Sequence, residues 1–130
     1  MKTREAIRHF ISGLMALAIV GAATPAFAAT ASELFEEGNR LFREDLYWAA
    51  LLRYGEAADA GMDTPLLHYN TGVAHYKAQQ YNRARLSLEK AASYDPLSPI
   101  AHYNLGLNAY AAGAYEEAMR WFRRAAAQDE

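Results

Sequence analysis

Tyr69-Asn70-Thr71-Gly72 and Tyr103-Asn104-Leu105-Gly106 are two versions of one phrase set 34 residues apart, and that interval decides the fold. Gly38, Gly72 and Gly106 keep it, as do Ala50, Ala84 and Ala118, and Ala57, Ala91 and Ala125. The aromatics Tyr47, Tyr81 and Tyr115 share the register. So do the large residues Tyr54, Leu88 and Phe122, and the hydroxyl residues Thr30, Thr64 and Ser98. Self-similarity at a fixed period of this length marks a stack of supersecondary units.

Each column has a physical role. Thr30, Thr64 and Ser98 are helix N-cap types, whose side-chain oxygen accepts a free amide hydrogen of the first turn. Pro65 and Pro99 follow two of them at the first helical position, where proline loses no hydrogen bond. Glu33, three residues after Thr30, completes a capping box. These caps predict first helices over residues 31–43, 65–78 and 99–112. Second helices are predicted over 47–60, 81–94 and 115–127, entered through Arg43-Glu44-Asp45, Gln79-Gln80 and Gly113-Ala114. Gly61-Met62-Asp63 and Asp95-Pro96 stop the first two of these second helices. Connections this short require antiparallel neighbours. Glycine in a helix interior costs ~1 kcal/mol against alanine, so three glycines in register imply close helix approach. No segment alternates with the period of a strand.

The first 28 residues read differently. Lys2, Arg4 and Arg8 precede an apolar run from Phe10 to Ala23, then Pro25 and the small-x-small site Ala26-Phe27-Ala28. That order is a cleaved secretory signal peptide. The run is about 14 residues where a bilayer span takes ~20, which predicts no stable membrane anchor after cleavage. Residues 29–130 then form one repeat domain with a net charge of about −4 and no cysteine, so disulfides and cysteine lipidation are excluded. No basic stripe remains for nucleic acid. An exported, disulfide-free chain fits a bacterial periplasm, with secretion left open.

The chain resembles the tetratricopeptide repeat over residues 31–130, in units of about 31–64, 65–98 and 99–130. The middle unit carries Tyr69-Asn70-Thr71-Gly72, Tyr81, Ala84, Leu88, Glu89-Lys90-Ala91 and Asp95-Pro96. The third carries Gly106, Gly113, Tyr115, Glu116-Glu117-Ala118, Phe122 and Ala125. Met62 stands where the terminal proline of the first unit belongs. Leu34, His68 and His102 replace a tryptophan common early in the first helix. The resemblance implies an all-α, right-handed solenoid of three antiparallel helix-turn-helix repeats, and a protein-binding role without cofactor or catalysis.

It also implies a concave face lined by the first helices. Carried over by register, its residues are Phe35, Asn39 and Phe42, then Tyr69, Asn70, Val73 and Tyr76, then Tyr103, Asn104, Leu107 and Tyr110. Leu66 and Ile100 lie one turn earlier on the same side. Tyrosine supplies large amphipathic contact area at small entropic cost, and asparagine both donates and accepts. Phe35 and Phe42 suit the space between hairpins equally well. The family's clamp for a chaperone's terminal carboxylate is broken, because Phe35, Ile100 and Asn104 stand where cations belong.

Two rival readings follow from other residues. His68 and His102 occupy equivalent places, but no acidic residue shares their register to complete a metal site, so partly buried histidines are expected and no metal. No nucleophile–base pair or phosphate loop points to an enzyme. The other rival is a segment of a larger assembly. Met119 and Trp121 on the last helix are expected at an uncovered edge, with Phe122 in the core, and that edge offers a homodimer contact.

Overall fold

The computed structural model describes residues 28–96 and 98–127. Of residues 1–28, read from sequence as a signal peptide, all but Ala28 lie outside the described residues. Six helices follow one another: α1 (Ala31–Arg43), α2 (Tyr47–Asp59), α3 (Pro65–Lys77), α4 (Tyr81–Tyr94), α5 (Pro99–Ala111) and α6 (Tyr115–Ala126). Every end falls within one residue of its predicted place. The capping box is formed: Thr30 Oγ1 accepts the Glu33 amide at 3.2 Å, and the Glu33 carboxylate accepts the Thr30 amide at 2.7 Å. That amide holds the Glu33 carboxyl below its usual range. Thr64 and Ser98 cap α3 and α5 through the amides of Leu67 and Ala101.

The turns inside the three hairpins repeat one geometry. Asp45, Gln79 and Gly113 have φ of 59°, 60° and 80°, and they too are 34 residues apart. Each is the left-handed residue that ends a helix while its successor's amide reaches back to a carbonyl of the last turn. Leu46 bonds Leu41, Gln80 bonds His75, and Ala114 bonds Ala109, at 2.8–3.0 Å. Only the third turn uses glycine for it.

Packing is densest within the hairpins α1–α2, α3–α4 and α5–α6, then between α2 and α3 and between α4 and α5. The first helices touch each other along the array, whereas among the described residues the second helices of successive hairpins do not. The array therefore curves, with α1, α3 and α5 inside. It is a right-handed all-α solenoid of three antiparallel helix pairs.

The repeating small residues account for the close approach. A Cβ on Gly38, Gly72 or Gly106 would sit 2.5–2.7 Å from Tyr54, Leu88 or Phe122, the large residue of the same repeat. Ala50, Ala84 and Ala118 are at most 1% exposed. Tyr54, Leu67, Leu88 and Leu105 are the largest side chains buried completely.

Candidate interaction groove

The inner face begins with a hydrogen-bond ladder that crosses the repeats. Tyr54 donates its hydroxyl to Asn39 Oδ1 at 2.9 Å, and Asn70 Nδ2 of the next hairpin donates to the same oxygen at 2.8 Å. Burial pushes the Tyr54 phenol up to about 12. One repeat further on, Asn104 Nδ2 donates to Tyr69 Oη at 3.3 Å and to the Ile100 carbonyl at 2.8 Å. The asparagines thus join neighbouring repeats before they meet any partner. Asn39 Nδ2, Asn70 Oδ1 and Asn104 Oδ1 keep hydrogen-bonding capacity beyond that ladder.

The aromatic residues divide by exposure along the array. Phe35 is only 7% exposed, with its ring 5.8 Å from that of Tyr54. This corrects its assignment to the groove. A phenyl has no polar end to keep in water, and the Tyr54 ring offers it a face in the core. Tyr69, Asn70, Val73, Asn104 and Leu107 are half-buried. Phe42 and Tyr76 are half-buried too, each leaning on the tyrosine that starts the next helix, Tyr47 at 5.4 Å and Tyr81 at 6.1 Å. Tyr110 repeats that pairing with Tyr115 at 5.3 Å but remains 62% exposed. Tyr103 leans on Phe122 at 5.7 Å and is 52% exposed. Leu66 and Ile100 are exposed beside them. Apolar surface open to solvent on the inner face is therefore concentrated on α3 and α5.

The last helix differs from expectation at Trp121 and at Phe122. Met119 is exposed, but Trp121 is half-buried and folds back on its own repeat. Its ring stacks on buried His102 at 5.5 Å, its indole N–H donates to Glu117 at 3.3 Å, and the Arg124 guanidinium lies 5.0 Å from its centre. Stacking on a flat imidazole removes indole surface from water without a further helix. Phe122 meets Gly106 yet stays partly exposed.

His68 and His102 each lie against an aromatic ring. His68 Nε2 lies 2.6 Å from Asp63 Oδ1, and its ring stacks on Tyr94 at 5.9 Å. Tyr94 donates to the same Asp63 oxygen at 2.5 Å. The bonds from His68 and Tyr94 hold the Asp63 carboxyl below its usual range. Among the described residues, no group of three His, Asp or Glu is placed to hold a metal.

One feature lies outside the residues predicted from sequence. On the outer side, Trp48 and Leu52 of α2 are 63% and 60% exposed, above a cleft of about 410 Å³. The sequence signal for it is a break in one column of the repeat, since Trp48 is followed by Asn82 and Glu116, whereas Leu52 is matched by exposed Leu86 before Arg120.

The tetratricopeptide repeat family profile matches residues 69–130. The second repeat domain of Spaghetti (RPAP3), bound to the HSP90 peptide SRMEEVD, is similar at 25% identity and a TM-score of 0.68, over 76% of this chain and 92% of that one. YrrB, described as a repeat protein with an unusual peptide-binding site, is similar at 25% identity and a TM-score of 0.70. The match covers 76% of this chain and 51% of YrrB, so this chain spans about half of YrrB's length. The Sgt2 repeat domain from Aspergillus fumigatus is similar at 23% identity and a TM-score of 0.68, over 76% of this chain and 66% of that one.

Proposed function

We propose that this chain of tetratricopeptide repeats is an exported, periplasmic interaction module that holds a segment of a partner protein on its inner face and performs no chemistry itself. The observation that carries this reading is the band of exposed Leu66, Ile100, Tyr103 and Tyr110 on α3 and α5. Solvent-facing aromatic and aliphatic side chains around unfilled amide positions supply both contact area and hydrogen bonds to a peptide backbone. Peptide binding by the Spaghetti domain and YrrB supports the same use of the fold. The ligand chemistry differs, since Phe35, Ile100 and Asn104 supply no cations for a terminal carboxylate. Export rests on the charged, apolar and small-residue order of residues 1–28. Among the described residues, no helix is long and apolar enough to cross a membrane.

A photoreactive residue at Tyr110, irradiated in cells and followed by mass spectrometry, tests the site. One dominant partner is expected, lost on Tyr103→Ala with circular dichroism unchanged. Capture that persists at full yield in Tyr103→Ala moves the site elsewhere. Fractionation for the processed chain tests export separately.

A second reading, association through the α5–α6 face, is favoured by an apolar cleft of about 590 Å³ lined by Ile100, Tyr103, Phe122 and Ala125. Sedimentation of the wild type beside Phe122→Glu distinguishes the two. A monomer at hundreds of micromolar removes this second reading.

A further inference from the structure

The outer cleft has walls from α2 and α4 and a floor from α3. Trp48 and Leu52, one helical turn apart, form the apolar wall, and buried Leu67 lies beneath with Thr71 and His75. Arg83 stands at the opposite wall, exposed. It has no ion-pair partner among the described residues, and no other lining residue carries a permanent charge.

The repeat itself supplies a control for whether the fold needs this composition. One period on, Trp48, Leu51 and Gly55 become Asn82, Arg85 and Glu89, and Arg85 pairs with Glu89 at 2.9 Å. Thr71 and His75 become Leu105 and Ala109, both buried, and Arg83 becomes Glu117. Leu52 is matched by Leu86, likewise exposed at 59%, so the second junction keeps that leucine but sets it beside the Arg85–Glu89 pair, over an apolar floor. The first has a wholly apolar wall, because Trp48 and Leu51 stand where Asn82 and Arg85 do in the second, and Thr71 and His75 join Leu67 in its floor. Since the second junction folds without an exposed indole, the first is not explained by packing.

We infer that the cleft between α2 and α4 is a second docking site, and that its occupant is an amphipathic helix of a partner protein carrying an apolar stripe flanked by carboxylates. The helical form follows from hydrogen bonding. The cleft is walled by helices whose backbone groups bond within themselves, so an extended peptide would find few backbone partners there. A helix satisfies its own backbone and presents an apolar stripe at the spacing of Trp48 and Leu52. The carboxylates follow from Arg83, an uncompensated cation at the rim of an apolar wall.

The probes are two synthetic peptides of about 16 residues, long enough to favour helix, sharing one leucine stripe. One is flanked by Glu and its twin by Lys. A third keeps the Glu composition but carries prolines that prevent a helix. Binding is read from Trp48 emission in a Trp121→Phe background whose helical content matches wild type. We expect the Glu helix to bind at least about tenfold tighter than its Lys twin, and Arg83→Glu to reverse that order. Leu52→Ser, at an exposed position, should weaken the Glu helix about tenfold. Tyr103→Ala should leave it unchanged, which keeps the result separate from the inner face. Equal binding of the twins, equal binding of the proline peptide, or indifference to Leu52→Ser overturns the proposal. So does self-association, seen by sedimentation without peptide, that Leu52→Ser abolishes, since the cleft would then belong to a second copy.

Discussion

Tyr54 of α2 donates its hydroxyl to Asn39 of α1 at 2.9 Å, and the acceptor oxygen is shared with Asn70 of α3. One amide thus ties the buried phenol of the first hairpin to the second hairpin. Leaving a buried donor without its acceptor costs ~1–3 kcal/mol. Asn39→Ala should therefore destabilise the array by about that much in urea melts, more than Tyr54→Phe, which removes the donor itself and leaves Asn39 Oδ1 accepting from Asn70. Asn70→Ala, removing one donor at a half-buried site, should cost about 1 kcal/mol. Equal effects of Asn39→Ala and Asn70→Ala would show that the phenol finds another acceptor. Because Asn70 and Asn104 serve the stack, Tyr103 and Tyr110 are the cleaner probes of binding.

Glycine to alanine changes should have opposite signs on two helices. At Gly72 the new methyl would meet Leu88 Cγ at 2.7 Å and the Leu88 backbone nitrogen at 3.1 Å. Overpacking of that kind costs ~1–3 kcal/mol, which outweighs the ~1 kcal/mol helix-propensity gain if the backbone cannot move. At Gly55 nothing lies within 4 Å, so alanine should stabilise by about 0.5–1 kcal/mol. Thermal melts of the two single variants give the comparison directly.

Left-handed turn positions make a second signed pair. Gln79 holds φ of 60° with a side chain, while Gly113 holds the equivalent angle of 80° without one. An L-residue in this region is disfavoured by ~1–2 kcal/mol. Gln79→Gly should raise stability, by about 1 kcal/mol or less once unfolded-state entropy is counted, and Gly113→Ala should lower it. A fall in melting temperature for Gln79→Gly would mean that its side chain contributes more than the turn costs. Asp45 is the less favourable position to change, because its carboxylate accepts the Tyr47 hydroxyl at 2.6 Å.

Stability should fall toward both acid and alkali, through different residues. Burial is the main cause that lowers the His75 pKa below 6.5. The unfolded chain takes that proton first, so this contribution is complete above about pH 6.5 and declines as the pH drops below it. The Tyr54 phenol rises from 10.0 to about 12. Its contribution is complete below pH 10 and is lost as the pH climbs toward 12, by ~2–3 kcal/mol for two units. His75→Gln should flatten the acid limb and Tyr54→Phe the alkaline one in urea titrations at fixed salt.

The sequence alone determined the six helices, their caps and their pairing, because those depend on local chemistry repeated in register. Thr30, Thr64 and Ser98 cap helices wherever they fall before a helical run, and a glycine column facing a large-residue column reads as a close contact without coordinates. Exposure within a column was decided only by the tertiary structure. Phe35, Tyr69 and Tyr103 are equivalent in the period, yet they run from buried through half-buried to exposed. Phe35 is covered by Tyr54, and the Tyr69 hydroxyl accepts from Asn104 of the next helix. Tyr103 leans on Phe122 of its own repeat and stays 52% exposed. Trp121 likewise reads as an edge residue until His102 is placed beneath it, and Trp48 and Leu52 read as ordinary helix residues until α4 is set across from them. Register fixes which way a side chain points, whereas exposure depends on its neighbours from other repeats, and those are known only when the hairpins are stacked.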